Sequence, residues 1–174
     1  MVKIREVRPE DAEILEEVTR ASWIEGQKGF LTGEELKAAK DSSTFEKTAQ
    51  GIKEKIDSGC SLVLVAVDEE VVGRLRVSWG EEAHSFVEEG QAQLRSLYVD
   101  PERWREGIGT ELVEEAFNRV SFEEFVVEVF RENRRAVEFY RGLGFREFGE
   151  ASLGPKDVDL LFRQRPTELM KKDV

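Results

Sequence analysis

The stretch that decides the fold is residues 97–145, which read LYVDPERWREGIGTELVEEAFNRVSFEEFVVEVFRENRRAVEFYRGLGF. It begins inside an apolar strand, predicted at residues 91–99, which Asp100 and Pro101 end. A glycine turn then leads into a predicted helix at residues 109–120, where apolar residues recur at helical spacing. The first half of the stretch is therefore one strand, one turn and one helix.

The second half repeats this arrangement. An apolar strand is predicted at residues 125–130 and a helix at residues 133–143, with Gly144 as its C-cap. Before this stretch, the sequence predicts a strand at 2–8, a helix at 10–23, a hairpin at 61–67 and 71–78, and an acidic loop at 79–90. Helical segments are predicted between 25 and 57, one with Leu36 and Ala39 and one with Phe45, Ala49, Ile52 and Ile56. After it, strands are predicted at 145–151 and 158–163. This order predicts an α/β fold with a mixed sheet and helices on both faces.

Length and composition set the class of protein. A chain of 174 residues with 40% hydrophobic residues is expected to form a single domain, residues 1–174, with a C-terminal tail at 164–174. No run approaches the roughly 18 apolar residues of a membrane span, so a cytoplasmic protein without membrane attachment is expected. The net charge of −11 argues against nucleic acid as a partner.

The chain contains one cysteine, Cys60, and one histidine, His84. An intramolecular disulfide needs two cysteines, and the usual zinc sites need several cysteines or histidines. Cys60 is expected to be a small buried residue, and no metal site is predicted.

The glycine turn, residues 103–110, is a candidate anion site because backbone N–H groups at a helix start can converge on a phosphate. A nucleoside-triphosphate P-loop would need a lysine after Gly109, where Thr110 stands. A dinucleotide fingerprint would need a small residue at Leu112, although Glu128 lies near the expected distance for a ribose-binding acid. A merely flexible turn is the remaining alternative.

Two motifs at fixed separation distinguish these alternatives. Residues 97–101 and 105–109, followed by 127–129 and 133–145, resemble the GCN5-related N-acetyltransferase (GNAT) superfamily, and within it the RimI-like enzymes that acetylate ribosomal-protein N-termini. The resemblance implies the acyl-CoA N-acyltransferase fold, whose mixed sheet is mostly antiparallel. It also implies acetyl-CoA as co-substrate.

The resemblance assigns residues to the cofactor. The backbone of residues 97–99 is expected to pair with the pantetheine arm, and the turn to hold the pyrophosphate. The implied cofactor-binding residues are Leu97, Tyr98, Val99, Trp104, Arg105, Glu106, Gly107, Ile108, Gly109, Thr110, Asn133 and Tyr140. The family usually has Arg or Gln where this chain has Trp104, so the missing charge is expected from Arg103, Arg105 or the backbone amides.

Acetyl transfer to an amine needs a base, because an alkylammonium with a pKa of about 10 is almost wholly protonated at neutral pH. It also needs an acid, because the departing thiolate gains from a proton donor of similar pKa, such as tyrosine. Tyr140 stands at the family's acid position; burial on a helix face with Ala136 and Leu143 is the alternative role.

Glu128 is the candidate base. A carboxylate inside an apolar strand is costly unless it is paired or useful, and partial burial would raise its pKa towards a working range. RimI-like enzymes assign the proton acceptor to this position. Relatives with the base on the preceding strand have no counterpart here, because Gln91 and Gln93 cannot accept a proton. His84, expected in an exposed loop, and a water path stay as alternatives.

The predicted function is N-acetylation of a primary amine by direct attack in a ternary complex, with the oxyanion met by a backbone N–H near Val99, where the family's strand is bulged. The acceptor is a peptide N-terminus, a lysine, a polyamine or another small cationic amine, and a homodimer is allowed. A non-catalytic acyl-CoA sensor and a nicotinamide-dependent oxidoreductase are the alternatives.

Overall fold

The computed structural model describes residues 1–27, 32–34, 49–151 and 159–164. The strands are β1 Lys3–Glu6, β2 Ser61–Asp68, β3 Glu70–Ser78, β4 Gln91–Val99, β5 Glu124–Phe130, β6 Arg146–Ala151 and β7 Asp159–Gln164. The α-helices are α1 Ala12–Gln27, α2 Ala49–Asp57, α3 Ile108–Arg119 and α4 Arg134–Gly142, and short 3-10 turns lie at Pro9–Asp11, Gly80–Glu82 and Pro101–Arg103. None of the helices in these residues is long and apolar enough to cross a membrane.

The seven strands form one sheet in the order β1-β2-β3-β4-β5-β7-β6. Every neighbouring pair is antiparallel except β4 and β5, which run parallel because α3 carries the chain back over the sheet between them. The predicted mixed, mostly antiparallel sheet flanked by helices is confirmed. Strand β7 lies between β5 and β6, so the last strand of the described residues is internal to the sheet.

Alternate side chains of β2 pack into two separate hydrophobic cores, because successive side chains of a strand point to opposite faces of the sheet. On one face Val63 and Val65 pack with Leu15 of α1 and Ile52 of α2. On the other face Leu64 belongs to the larger cluster that holds the apolar residues of α3 and α4. The helices therefore cover both faces.

Strands β4 and β5 separate before either of them ends. They pair over only four residues, the last pair being Leu94 with Val127. Beyond that point β4 continues to Val99 beside β3, and β5 continues to Phe130 beside β7. The sheet therefore opens into a wedge between the two strands.

A β-bulge interrupts β4 just where the wedge begins. Arg76 of β3 faces Ser96 and Val77 faces Leu94, so Arg95 is the extra residue. The bulge was expected near Val99, and that position is wrong: Val99 faces Gly73 in regular register. The direction of the Val99 amide therefore follows from the regular antiparallel pairing of β4 with β3, and not from a bulge.

Most predicted elements match the structure, and their ends differ. The first helix starts as a 3-10 turn and extends to Gln27, beyond the expected residue 23. The acidic loop contains the 3-10 turn Gly80–Glu82. The expected segments with Leu36, Ala39 and Phe45 lie outside the described residues. The C-terminal tail was predicted to start at residue 164, but Gln164 is the last residue of β7. Residues 165–174 also lie outside the described residues.

Gly144 follows the C-cap instead of forming it. Leu143 is the C-cap of α4, and Gly144 has φ 91°, the left-handed conformation that glycine adopts without steric cost. The amide of Phe145 then donates to the carbonyl of Tyr140, which completes a Schellman-type helix end. This turn fixes where Tyr140 lies relative to the following strand.

Candidate active site

A cavity of about 580 Å³ lies beside the half of β4 that has left β5. Its walls come from α1, β4, the glycine turn and one face of α4. The lining residues are Ser22, Gly26, Leu97, Tyr98, Val99, Arg103, Trp104, Arg105, Gly107, Ile108, Gly109, Thr110, Asn133, Arg135, Ala136, Phe139 and Tyr140. The structure thus brings together every expected cofactor residue except Glu106.

The N-terminus of α3 opens into this cavity. Its N-cap is Gly107, with φ 84° and no side-chain cap, and the first intrahelical bond runs from the Glu111 amide to the Gly107 carbonyl. The amides of residues 108–110 therefore have no acceptor within the helix and carry the positive end of its dipole. Nothing lies within 4 Å of where a Cβ on Gly107 would stand, so an anion can approach the backbone closely.

Gly109 has a different role from Gly107. A Cβ on Gly109 would lie 3.3 Å from the Phe139 ring, so its absence lets the start of α3 pack against α4. The two glycines of the turn are thus separated in function: one exposes backbone to a ligand, and the other brings two walls of the cavity together.

Trp104 replaces the expected Arg or Gln with a fixed aromatic platform. Its indole Nε1 donates to the Val99 carbonyl at 2.8 Å, which holds the ring against the end of β4. The Arg135 guanidinium carbon lies 4.0 Å from the centre of that ring, a close cation–π contact. Arg135 is therefore a cavity cation that the sequence analysis did not assign.

The two arginines of the turn differ in their partners. Arg103 contacts Asp68 at 2.9 Å and Glu106 at 2.8 Å, so its charge is already balanced by two carboxylates. Arg105 lines the cavity, has a left-handed φ of 69°, and forms no ion pair with the described residues. Three arginines thus line the cavity: Arg103 is ion-paired with two carboxylates, and Arg105 and Arg135 are the other two.

Asn133 is the N-cap of α4. Its side-chain oxygen accepts from the Ala136 amide at 3.2 Å, which orients the first turn of the helix. The side chain also lines the cavity, where its NH₂ group is the donor that remains for a ligand.

The backbone of β4 offers hydrogen-bonding groups to the same cavity. The Asp100 amide donates to the Val72 carbonyl, so the antiparallel alternation directs the N–H and C=O of Tyr98 to β3 and those of Leu97 and Val99 away from it. The Val99 carbonyl is used by Trp104. Both groups of Leu97 and the Val99 amide face the wedge, as an extended ligand would require.

Tyr140 lies at the apolar end of the cavity. Its ring packs between Phe139 and Phe145, with centroids 5.1 and 5.4 Å away, and only 8% of the residue is exposed. Burial, with a smaller contribution from Tyr98, raises the pKa of Tyr140 above its usual value near 10. The hydroxyl therefore keeps its proton throughout the neutral range, so in acid–base chemistry it could there only give up a proton. Tyr140 is thus part of the core and also lines the cavity.

Glu128 does not line the cavity. It is the first residue of β5 beyond the last pair with β4, so it lies at the origin of the wedge. Its carboxylate Oε2 is 3.7 Å from Nδ1 of His84, and 19% of the side chain is exposed. The two expected base candidates are thus neighbours.

His84 lies in the predicted loop, but it is partly buried and not fully exposed. Its side chain is 34% exposed, and it is held by Gln93: the His84 amide donates to Gln93 Oε1 at 2.9 Å, and Gln93 Nε2 lies 3.1 Å from Nδ1. Burial first, then Arg95 and Arg76, lower the pKa of His84, so the ring is neutral at pH 7. Among the described residues no cluster of three His, Cys, Asp or Glu side chains could hold a metal.

Comparison with known proteins identifies the family. The sequence profile of the acetyltransferase (GNAT) family matches residues 22–145, well over half of the chain. The chain therefore belongs to the GNAT family and is an acetyltransferase.

Solved structures share the fold at low identity. They include the PaiA N-acetyltransferase of Thermoplasma acidophilum in complex with coenzyme A (TM-score 0.77, 24% identity, 95% of this chain and 99% of that one) and a mutant of the SpeG spermidine N-acetyltransferase of Vibrio cholerae (0.70, 15%, 99% and 98%). An acetyltransferase from Thermus thermophilus is similar (0.70, 17%, 95% and 97%). No curated protein sequence gives a significant match. RimI-like membership stays a prediction.

Proposed function

We propose that this enzyme transfers the acetyl group of acetyl-CoA to a primary amine by direct attack within a ternary complex. One observation supports the proposal above all others. The N-terminus of α3, which has no side-chain cap, and the buried Tyr140 line the same cavity. Acetyl-CoA would supply the activated thioester carbonyl. The protein supplies the binding groups and two proton carriers.

The cavity fits a CoA molecule in its distribution of polarity. The phosphates would meet the amides of residues 108–110 with Arg105 and Arg135, which suit anions in both charge and hydrogen-bond geometry. The pantetheine arm would run along Leu97 and Val99, and Asn133 would contribute its NH₂ group. The departure at Trp104 is compensated in this proposal by the arginine stacked on its ring.

Arg135→Gln should weaken CoA binding by about tenfold or more, because a cation that contacts phosphate contributes about 1.5–3 kcal/mol. Isothermal calorimetry with CoA measures the loss. Arg134→Gln is the matched control, since it removes the same charge from the neighbouring residue of α4, which does not line the cavity. Equal losses of affinity in both variants would show that only the net charge of the protein matters. Unchanged affinity in both variants would show that Arg135 does not contact CoA.

Two side chains carry the proton transfers in this proposal. Tyr140 donates to the leaving sulfur: it lines the cavity and its hydroxyl carries a proton at neutral pH, while the burial that raises its pKa makes it a weaker acid than a free tyrosine. Glu128 accepts a proton from the incoming ammonium at the origin of the wedge, where the separation of β4 and β5 opens a path between the acceptor and the cavity. The Val99 amide, directed into the wedge, is the candidate donor to the developing oxyanion.

The acceptor in this proposal is a peptide N-terminus, as for RimI-like enzymes, or a small cationic amine. Similarity to spermidine N-acetyltransferases supports the second group, although that similarity lies in the fold. The 79–90 loop beside Glu128 carries Glu81, Glu88 and Glu89, whose sign suits a cation, whereas Glu82 of the same loop is paired with Arg76 and Lys55. The reaction is expected in the cytoplasm.

A thermal-shift comparison of acetyl-CoA, CoA and NAD, followed by a free-thiol assay over N-terminal peptides, polyamines and lysine peptides, tests the proposal. We expect stabilisation by both CoA species, none by NAD, and thiol release with at least one amine. Stabilisation by CoA without thiol release on any amine would favour a non-catalytic acyl-CoA sensor. Stabilisation by NAD alone would favour an oxidoreductase.

A further inference from the structure

The imidazole of His84 is held in one protonation state by Gln93, a buried residue of β4. Gln93 is 2% exposed, and its two amide atoms contact two atoms of the same residue. Oε1 accepts from the His84 backbone N–H at 2.9 Å, and Nε2 lies 3.1 Å from the ring nitrogen Nδ1. One side chain therefore fixes both the loop and the ring.

The backbone contact determines which way the amide faces. A main-chain N–H can only donate, so the atom opposite it must be the Gln93 oxygen, and the NH₂ group must face Nδ1. Because that group can only donate, Nδ1 must accept through its lone pair. The proton of the neutral ring is then on Nε2.

The same ring nitrogen faces the candidate base. Oε2 of Glu128 lies 3.7 Å from Nδ1, which is beyond hydrogen-bond distance but close enough for a positive charge on the ring to act on the carboxylate. Protonation of Nδ1 would make the ring cationic, and that charge would stabilise the carboxylate and make it a weaker proton acceptor. The protonation state of Nδ1 therefore affects how well Glu128 can serve as a base.

We propose that Gln93 is a positioning residue that keeps Nδ1 of His84 without a proton, so that Glu128 lies beside a neutral imidazole and accepts its proton from the amine. The catalytic part of this inference rests on the proposed function; the tautomer does not. His84 itself is then not the base, since Nδ1 is engaged by Gln93 and Nε2 already carries a proton.

The charged groups around the ring act in opposite directions, and those that disfavour its protonation prevail. Arg95 of β4 and Arg76 of β3 oppose a positive charge on His84, and Glu128 of β5 favours one. Glu82 is bound to Arg76 at 3.1 Å and also to Lys55, so its charge is engaged by those cations. Burial adds to the effect of the arginines, and the pKa of His84 is lowered.

The test is a ¹⁵N titration of the histidine ring, which is unambiguous in an untagged protein because His84 is the only histidine in the chain. Long-range ¹H–¹⁵N correlation in wild-type protein at pH 7 should show an unprotonated Nδ1 and a protonated Nε2. Gln93→Leu should move proton population to Nδ1 and raise the pKa of His84. It should also lower kcat at pH 7 by roughly threefold to tenfold, with KM for acetyl-CoA unchanged.

Gln91→Leu is the matched control. Gln91 is also on β4 and also accepts a backbone N–H from the same loop, that of Glu88 at 2.9 Å, but its amide contacts Glu124 instead of the histidine ring. Its histidine spectrum should match that of the wild type. A Gln93→Leu spectrum identical to wild type would overturn the inference.

The wild-type titration decides the matter even if Gln93→Leu fails to fold, because a protonated Nδ1 at pH 7 would overturn the inference by itself. It uses neither acetyl-CoA nor an amine, so its result is independent of the proposed function. Absence of thiol release with any amine would refute the enzyme proposal and leave the tautomer assignment intact.

Discussion

Tyr140→Phe should lower kcat by about tenfold or more and leave the affinity for CoA unchanged. The substitution removes only the hydroxyl, while the ring keeps its packing between Phe139 and Phe145. Because burial raises the pKa of Tyr140, the wild-type hydroxyl is protonated at every pH below about 10, and the defect should be constant over that range. Thiol release measures kcat, and calorimetry measures CoA binding.

Tyr98 is the competing donor, since it lines the same cavity and is the only other tyrosine in the chain. Full turnover in Tyr140→Phe would exclude Tyr140 as the acid. If Tyr98→Phe then showed the larger loss, the role would pass to Tyr98. A parallel loss of CoA affinity in Tyr140→Phe would instead indicate a binding role for the hydroxyl.

Glu128→Gln should reduce kcat at pH 7 by about a hundredfold or more, the range typical of a lost general base. A carboxamide cannot accept a proton, so the inflection due to the base should disappear from the acidic limb of the pH–rate profile. The rate should then follow the fraction of unprotonated amine, and the defect should shrink as the pH approaches about 10. A full pH profile with one amine measures both effects.

Glu124→Gln is the matched control for this variant. Glu124 belongs to the same strand and lies on the same face as Glu128, but it is opposite Gln91, where β4 and β5 still pair. It should retain turnover within about threefold, since it contacts no proposed substrate. A retained acidic inflection in Glu128→Gln would place the base elsewhere, and loss of that inflection in His84→Gln would identify the histidine.

The parts of the site that depend on local sequence could be predicted. The starts of the two helices beside the cavity were anticipated to within one residue: α3 was predicted from residue 109 and begins at Ile108, and α4 was predicted from residue 133 and begins at Arg134. The strand β4 was anticipated at both ends. Local backbone preferences determine these features, and sequence records them directly.

Contacts between distant segments could not be predicted. His84 and Glu128 are 44 positions apart in sequence, and their approach depends on where β4 and β5 cease to pair. The sequence predicted only that His84 lies in an exposed loop. Its two contacts with Gln93 depend on how that loop lies against β4, which the sequence does not show. Arg135 could have been predicted as a cavity residue. It lies four residues before Phe139, on the helix face that carries Tyr140, so helical spacing places it beside the cavity.

The early separation of β4 from β5 gives this sheet two inner borders in addition to its outer ones at β1 and β6. Exposed strand borders invite pairing with other chains, but the border at Leu97 and Val99 is recessed, and it admits one narrow extended molecule instead of a second sheet. A CoA arm lying there would act as a short extra strand. Co-substrate binding and the completion of the fold would then be one process, and the enzyme would be most resistant to unfolding while it is loaded.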